Sequence, residues 1–68
     1  MADTLRNRIR EEREERGWTQ ADLAARIGVS RKTVNTVENG VFVPSTVIAL
    51  NLADALSVPV EKLFWIER

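Results

Sequence analysis

The stretch from Ser30 to Gly40 reads SRKTVNTVENG, and its hydrogen-bonding side chains gather on one side of a helix. At 100° per residue with Val34 at zero, Val37 falls at about 300° and Thr33 at about 260°, which marks one side for burial. Lys32 then lies at about 160°, Asn35 at about 100°, Thr36 at about 200° and Asn39 at about 140°, with Arg31 flanking at about 60°. These types suit base-pair edges: Arg and Lys donate to guanine O6 and N7, Asn fits the adenine edge, and Thr offers a methyl to thymine. A merely solvated helix face would use the same residues. What favours recognition is the order of elements, a short capped helix, a tight turn at Gly28, and then a second capped helix carrying this face.

The elements that must position this face can be read from their caps and stops. Thr19 predicts the N-cap of a helix over 20–27, with Asp22 favourable to its dipole and Leu23, Ala24 and Ile27 as its inner stripe. Ser30 caps the helix over 31–39, and Gly40 ends it. Before them, Leu5 and Ile9 at i, i+4 predict a helix over 4–16 with Thr4 as its cap and Gly17 as its stop. After them, Pro44 forces Val43 into extended backbone, and Ser45 opens a helix over 46–56. The apolar arc of that helix is so wide that it requires burial on more than one side. A turn at Ser57-Val58-Pro59 leads to a last short helix over 60–65, after which Ile66-Glu67-Arg68 trails off. No strand alternation stands out. The expectation is one domain over 1–68, with five helices.

Composition narrows the function classes. In 68 residues there is neither Cys nor His, so no disulfide, thiolate metal site or imidazole chemistry is available. Ser30, Ser45 and Ser57 are each explained by a cap or a turn. The carboxylates of Glu11, Glu12, Glu14 and Glu15 lie among Arg8, Arg10 and Arg16, where helical ion pairs account for them better than general acid catalysis or metal binding. No catalytic residue, metal or cofactor is expected. Hydrophobic residues at 44% suffice for one small core, which argues against disorder. No apolar run approaches a membrane span, and MADTLRNR contains no signal core, so a cytoplasmic location is expected.

The formal net charge of +0 stands against a nucleic-acid partner. Placement answers part of that objection, because residues 17–40 hold Arg26, Arg31 and Lys32 against Asp22 and Glu38. Phosphate contact follows local charge, so weak non-specific binding with a strong salt dependence is expected.

Taken together, RxxxGWTQADLAxxIGVSRxTVxxVENGxxxPS resembles the phage repressor and Cro (Xre-type) helix-turn-helix family. The likeness runs from Ile9 to Phe64, and the TQ-x-x-LA, GVS and ENG elements at these spacings are specific to it. It implies an all-α fold, a compact five-helix lambda-repressor-like domain whose helices 2 and 3 form the helix-turn-helix and whose third helix enters the major groove. By position, Arg31, Lys32, Asn35 and Thr36 become base contacts, and Gln20, Ser30 and Asn39 contact the DNA backbone. Arg13 and Glu38 correspond to an ion pair that ties helix one to the end of helix three. The wheel agrees independently, since Glu38 falls beside the buried side at about 40°.

The chain departs from the family pattern at three places. Glu12 stands where an apolar residue is common, Trp18 replaces a smaller aliphatic one as core filling, and Val41, Phe42 and Val43 stand where Lys or Arg is common. With Val47, Trp65 and Ile66, these residues are more apolar groups than a small domain easily hides. The resemblance implies a homodimer through Phe42, Val43, Val47, Trp65 and Ile66, with Trp65 or Phe42 as anchor. Such a dimer spaces two reading helices about 34 Å apart on a palindrome. The alternative for Trp65 is to fold back over Leu5. The leading expectation is a sequence-specific transcriptional regulator on double-stranded DNA, with no small-molecule ligand. The second is a protein-interaction module, such as an antitoxin or adaptor, on the same fold.

Overall fold

Helix caps set most of the architecture. In the computed structural model, which describes residues 3–68, the elements run β1 (Thr4–Asn7), α1 (Ile9–Glu15), α2 (Gln20–Ile27), α3 (Arg31–Glu38), α4 (Thr46–Leu56), α5 (Val60–Leu63) and β2 (Phe64–Glu67). Met1 and Ala2, part of the stretch read for a signal core, lie outside the described residues. Thr19 and Asp22 form a reciprocal capping box on α2, and the Ser30 and Ser45 hydroxyls accept from the backbone N–H groups of Thr33 and Ile48. Each satisfies a donor that the first helical turn cannot. Gly28 closes α2 in the left-handed region at φ 72°, which only glycine adopts without strain.

The helices bury one continuous core. Ile9, Leu23, Leu52, Leu56 and Leu63 are fully or almost fully enclosed, with Val34 and Val37 contributing the inner side of α3. The wide apolar arc of α4 is explained by its place, because α1, α2 and α5 all pack against it. Trp18 and Ile27 pack on the outside of this cluster.

Both chain ends differ from the sequence expectation. Thr4 caps nothing, and residues 4–7 form a strand instead of the first turn of a helix. The final helix stops at Leu63, and Phe64 starts a strand instead of completing that helix. The two strands pair antiparallel, with Thr4 opposite Glu67, Leu5 opposite Ile66, Arg6 opposite Trp65 and Asn7 opposite Phe64. Four-residue strands carry too little periodicity to announce themselves, and each is stable only against the other. Paired residues share a face, so Leu5 and Ile66 lie on one side and Arg6 and Trp65 on the other. Trp65 therefore does not fold over Leu5.

Asn7 joins this ribbon to the helices. Its Oδ1 accepts from the Ile9 N–H at the start of α1, and its Nδ2 donates to the carbonyl of Val37. Glu12 is accommodated by charge, with Arg8 at 3.1 Å and Arg16 at 3.0 Å. Arg16 also donates to the Leu56 carbonyl, tying α1 to the last turn of α4.

Candidate nucleic-acid interface

The helix α3 is short, so its orientation depends on what holds it. Its inner side is anchored by Val34 and Val37, each only 2% exposed. Its end is held by Glu38, whose side chain is fully buried and accepts two hydrogen bonds from Arg13, at 2.7 Å from Nε and 3.1 Å from Nη2. The third arm of Arg13 donates to the Trp18 carbonyl at 2.8 Å. Hydrogen bonding to Glu38 outweighs the opposing effect of burial and holds the Arg13 guanidinium above its already high ordinary pKa, so Arg13 is charged at every working pH. Arg10 approaches the same carboxylate at 3.6 Å.

A cluster of side-chain amides spreads outward from this clamp. Gln20, at the start of α2, donates from Nε2 to Glu38 at 3.2 Å and to Asn35 Oδ1 at 3.1 Å. Asn39 donates from Nδ2 to the Asn35 carbonyl at 2.9 Å and to Asn35 Oδ1 at 3.0 Å, while its own Oδ1 accepts from Arg10 at 2.8 Å. Gln20, Asn35 and Asn39 are thus one assembly. Arg10 belongs to it too, although nothing in residue type singled it out from the other arginines of α1.

The two cations of the face stand apart. Arg31 and Lys32 are exposed at the first turn of α3, and among the described residues neither forms an ion pair. Thr36 donates its hydroxyl back to the Thr33 carbonyl at 3.0 Å, which leaves its methyl and the acceptor side of its oxygen for a partner. Ser30 is engaged as a cap and also hydrogen-bonds the Thr33 hydroxyl at 3.0 Å.

The apolar residues expected at a dimer interface fall on separate elements. Phe42 lies beside α3, in a shallow hollow with Ser30, Lys32, Thr33 and Thr36. The loop is bent there because the N–H groups of Val41 and Phe42 both reach the Thr36 carbonyl. Val43 lies in that loop, Val47 near the start of α4, and Trp65 and Ile66 on β2; all are exposed. Trp18, read as core filling, is only half-buried and carries Arg26 stacked 3.8 Å from its ring centroid.

Residues 9–63 match the family model described as helix-turn-helix. This chain belongs to the Xre-type helix-turn-helix family. An uncharacterized HTH-type transcriptional regulator of Bacillus subtilis, YgzD, is 38% identical over 64 residues, covering 94% of this chain and 97% of that protein. A second, from Methanothermobacter thermautotrophicus, is 46% identical over 52 residues, 76% of this chain and 75% of the relative. Among solved structures, the restriction-modification controller protein C.AhdI of Aeromonas hydrophila superposes with a TM-score of 0.75 at 37% identity, over 79% of this chain and 82% of that one. The helix-turn-helix of this Xre-type chain is α2, the turn at Gly28, and α3. Among the described residues, no helix is long and apolar enough to cross a membrane.

Proposed function

We propose that this Xre-type protein is a sequence-specific transcriptional regulator that binds double-stranded DNA as a homodimer, with α3 in the major groove of each half-site. The observation that carries this reading is the outer face of α3. Arg31 and Lys32, without ion pairs among the described residues, and the amides of Asn35 and Asn39 stand on a helix whose far end is locked by a buried ion pair. Arg31, Lys32, Asn35 and Thr36 read bases and Ser30 holds the sugar-phosphate backbone. Gln20 and Asn39, expected as backbone contacts, spend both amide hydrogens within the cluster and hold the face in place. The likeness to a restriction-modification controller protein supports a regulatory role. Binding occludes or recruits polymerase, in the cytoplasm.

The dimer forms through the exposed side chains of Phe42, Val43, Val47, Trp65 and Ile66, with Trp65 or Phe42 as anchor. In-vitro selection from random duplex tests binding, palindromy and spacing together. The expected product is a two-fold site with half-site centres about one helical turn apart. Failure to enrich any sequence would overturn the proposal.

The exposed Val41, Phe42 and Val43 together with the formal net charge of +0 favour a second reading, a protein-binding antitoxin or adaptor. Retardation of random duplex by the pure protein at low salt, lost as salt rises, separates the two. A DNA-binding protein shows it, and an adaptor does not.

A further inference from the structure

A side-chain amide has an acceptor oxygen and a donor nitrogen, and which end faces a neighbour is decided by what that neighbour can do. Two members of the amide cluster meet partners that leave no choice. The Glu38 carboxylate only accepts, so the end of Gln20 that faces it at 3.2 Å must be the nitrogen. The Arg10 guanidinium only donates, so the end of Asn39 that faces it at 2.8 Å must be the oxygen. Both chains then arrive at Asn35 as donors, Gln20 Nε2 at 3.1 Å and Asn39 Nδ2 at 3.0 Å from the same Oδ1. The Asn35 oxygen is occupied twice. Its Nδ2, on an exposed residue of the outer face, is the group left for a ligand.

We propose, on the reading that α3 enters the major groove, that Asn35 selects guanine, with Gln20 and Asn39 as positioning residues that set its polarity. Gln20 is held by Glu38, and Asn39 by Arg10 and the Asn35 main-chain carbonyl. Guanine presents two adjacent acceptors, O6 and N7, to a pair of N–H donors. Adenine sets a donor beside its N7, and thymine has a single O4 beside a methyl. A free asparagine would pair with both atoms of the adenine edge, but this one has no acceptor to give. The preference therefore differs from what the residue type alone suggests, and residues that need not touch a base impose it.

The experiment compares selected sites of the wild type and Asn35→Ala, then measures affinity for duplexes changed at the position where the two differ. That position is expected to be guanine, with adenine there weakening the wild type about tenfold or more. Replacing that guanine by 7-deazaguanine is expected to weaken binding as well. The double variant Gln20→Ala, Asn39→Ala removes both donors, so the Asn35 amide can turn. Its overall affinity falls with the loss of these side chains, but the readout is the guanine-to-adenine ratio, which drops toward unity. Arg10→Lys keeps a donor-only end and retains the ratio. Thermal melts establish that each variant is folded.

An A·T pair, in either orientation, at the Asn35-dependent position overturns the inference. So does the absence of any position that depends on Asn35, or a ratio that survives in the folded double variant. An enriched site that lacks this guanine leaves the DNA-binding reading standing and sinks only this inference. A wild type that enriches no sequence sinks both.

Discussion

Glu38 concentrates more of the design than any other side chain. It is buried, accepts twice from Arg13 and once from Gln20, and lies 3.6 Å from Arg10. Burying a charged pair costs desolvation free energy that offsets much of its attraction, so the pair contributes orientation more than net stability. Removing one partner is a different matter, because the other is left charged and enclosed. Glu38→Ala is expected to destabilise the fold by about 3 kcal/mol, read from denaturant unfolding. In a double-mutant cycle with Arg13→Ala, the coupling should exceed about 1 kcal/mol, and additive losses would show that the two side chains act independently. Lys32 belongs to the opposite case, exposed and unpaired. Lys32→Ala should leave stability unchanged, weaken binding to the selected site by about 1–3 kcal/mol, and relax the sequence preference at the one base pair it reads, measured on duplexes changed at that position.

At the scale of elements, two helix ends make the clearest predictions. The Asp22 carboxylate accepts from the Thr19 N–H at 2.9 Å, and this hydrogen bonding at the start of α2 holds its pKa below the ordinary value of 3.8. A depressed carboxylate pKa stabilises the folded state fully above the unfolded value, and the contribution disappears as pH falls through the folded one. Thermal melts of the wild type and Asp22→Asn should therefore differ by a constant amount near neutrality. Below about pH 4 the wild-type advantage should shrink. At the end of α4, Ser57 takes the left-handed conformation at φ 56°, a position that glycine occupies at the end of α2. Ser57→Gly should stabilise by about 0.5 kcal/mol, the relief of strain exceeding the added chain entropy.

For the whole molecule, charge and exposed apolar surface govern how it meets a partner. A net charge of +0 leaves no global field to draw the protein onto DNA, so affinity depends on local cations and on pairing two copies. Val43 and Val47 are 69% and 68% exposed, apolar surface open to a second copy of the chain. Sedimentation at tens of micromolar is expected to give a dimer, and Val47→Asp a folded monomer with weaker operator binding. A wild type that sediments as a monomer would transfer these residues to another role. For Phe42 that role would lie beside Lys32 and Thr36, whose hollow it shares.

How much could be read in advance follows the distance over which each feature is decided. Thr19, Ser30 and Ser45 cap their helices through hydrogen bonds to residues three positions away, so spacing along the chain is enough to find them. The same holds for the inner Val34 and Val37 and the outer Lys32 and Asn35, which a single helix period separates. The strands were not legible, because their partner positions stand about 60 residues apart, as Leu5 and Ile66 do, and neither has meaning without the other. Nor could residue type reveal which end of the Asn35 amide is free, since Arg10 from α1 and Gln20 from α2 must first be brought to it. The sequence by itself therefore determined the helix-turn-helix and its polar face, through contacts that close within one or two turns. Only the tertiary structure decided the ribbon, the position of Phe42 and the polarity of that face, because those depend on groups that folding alone brings together.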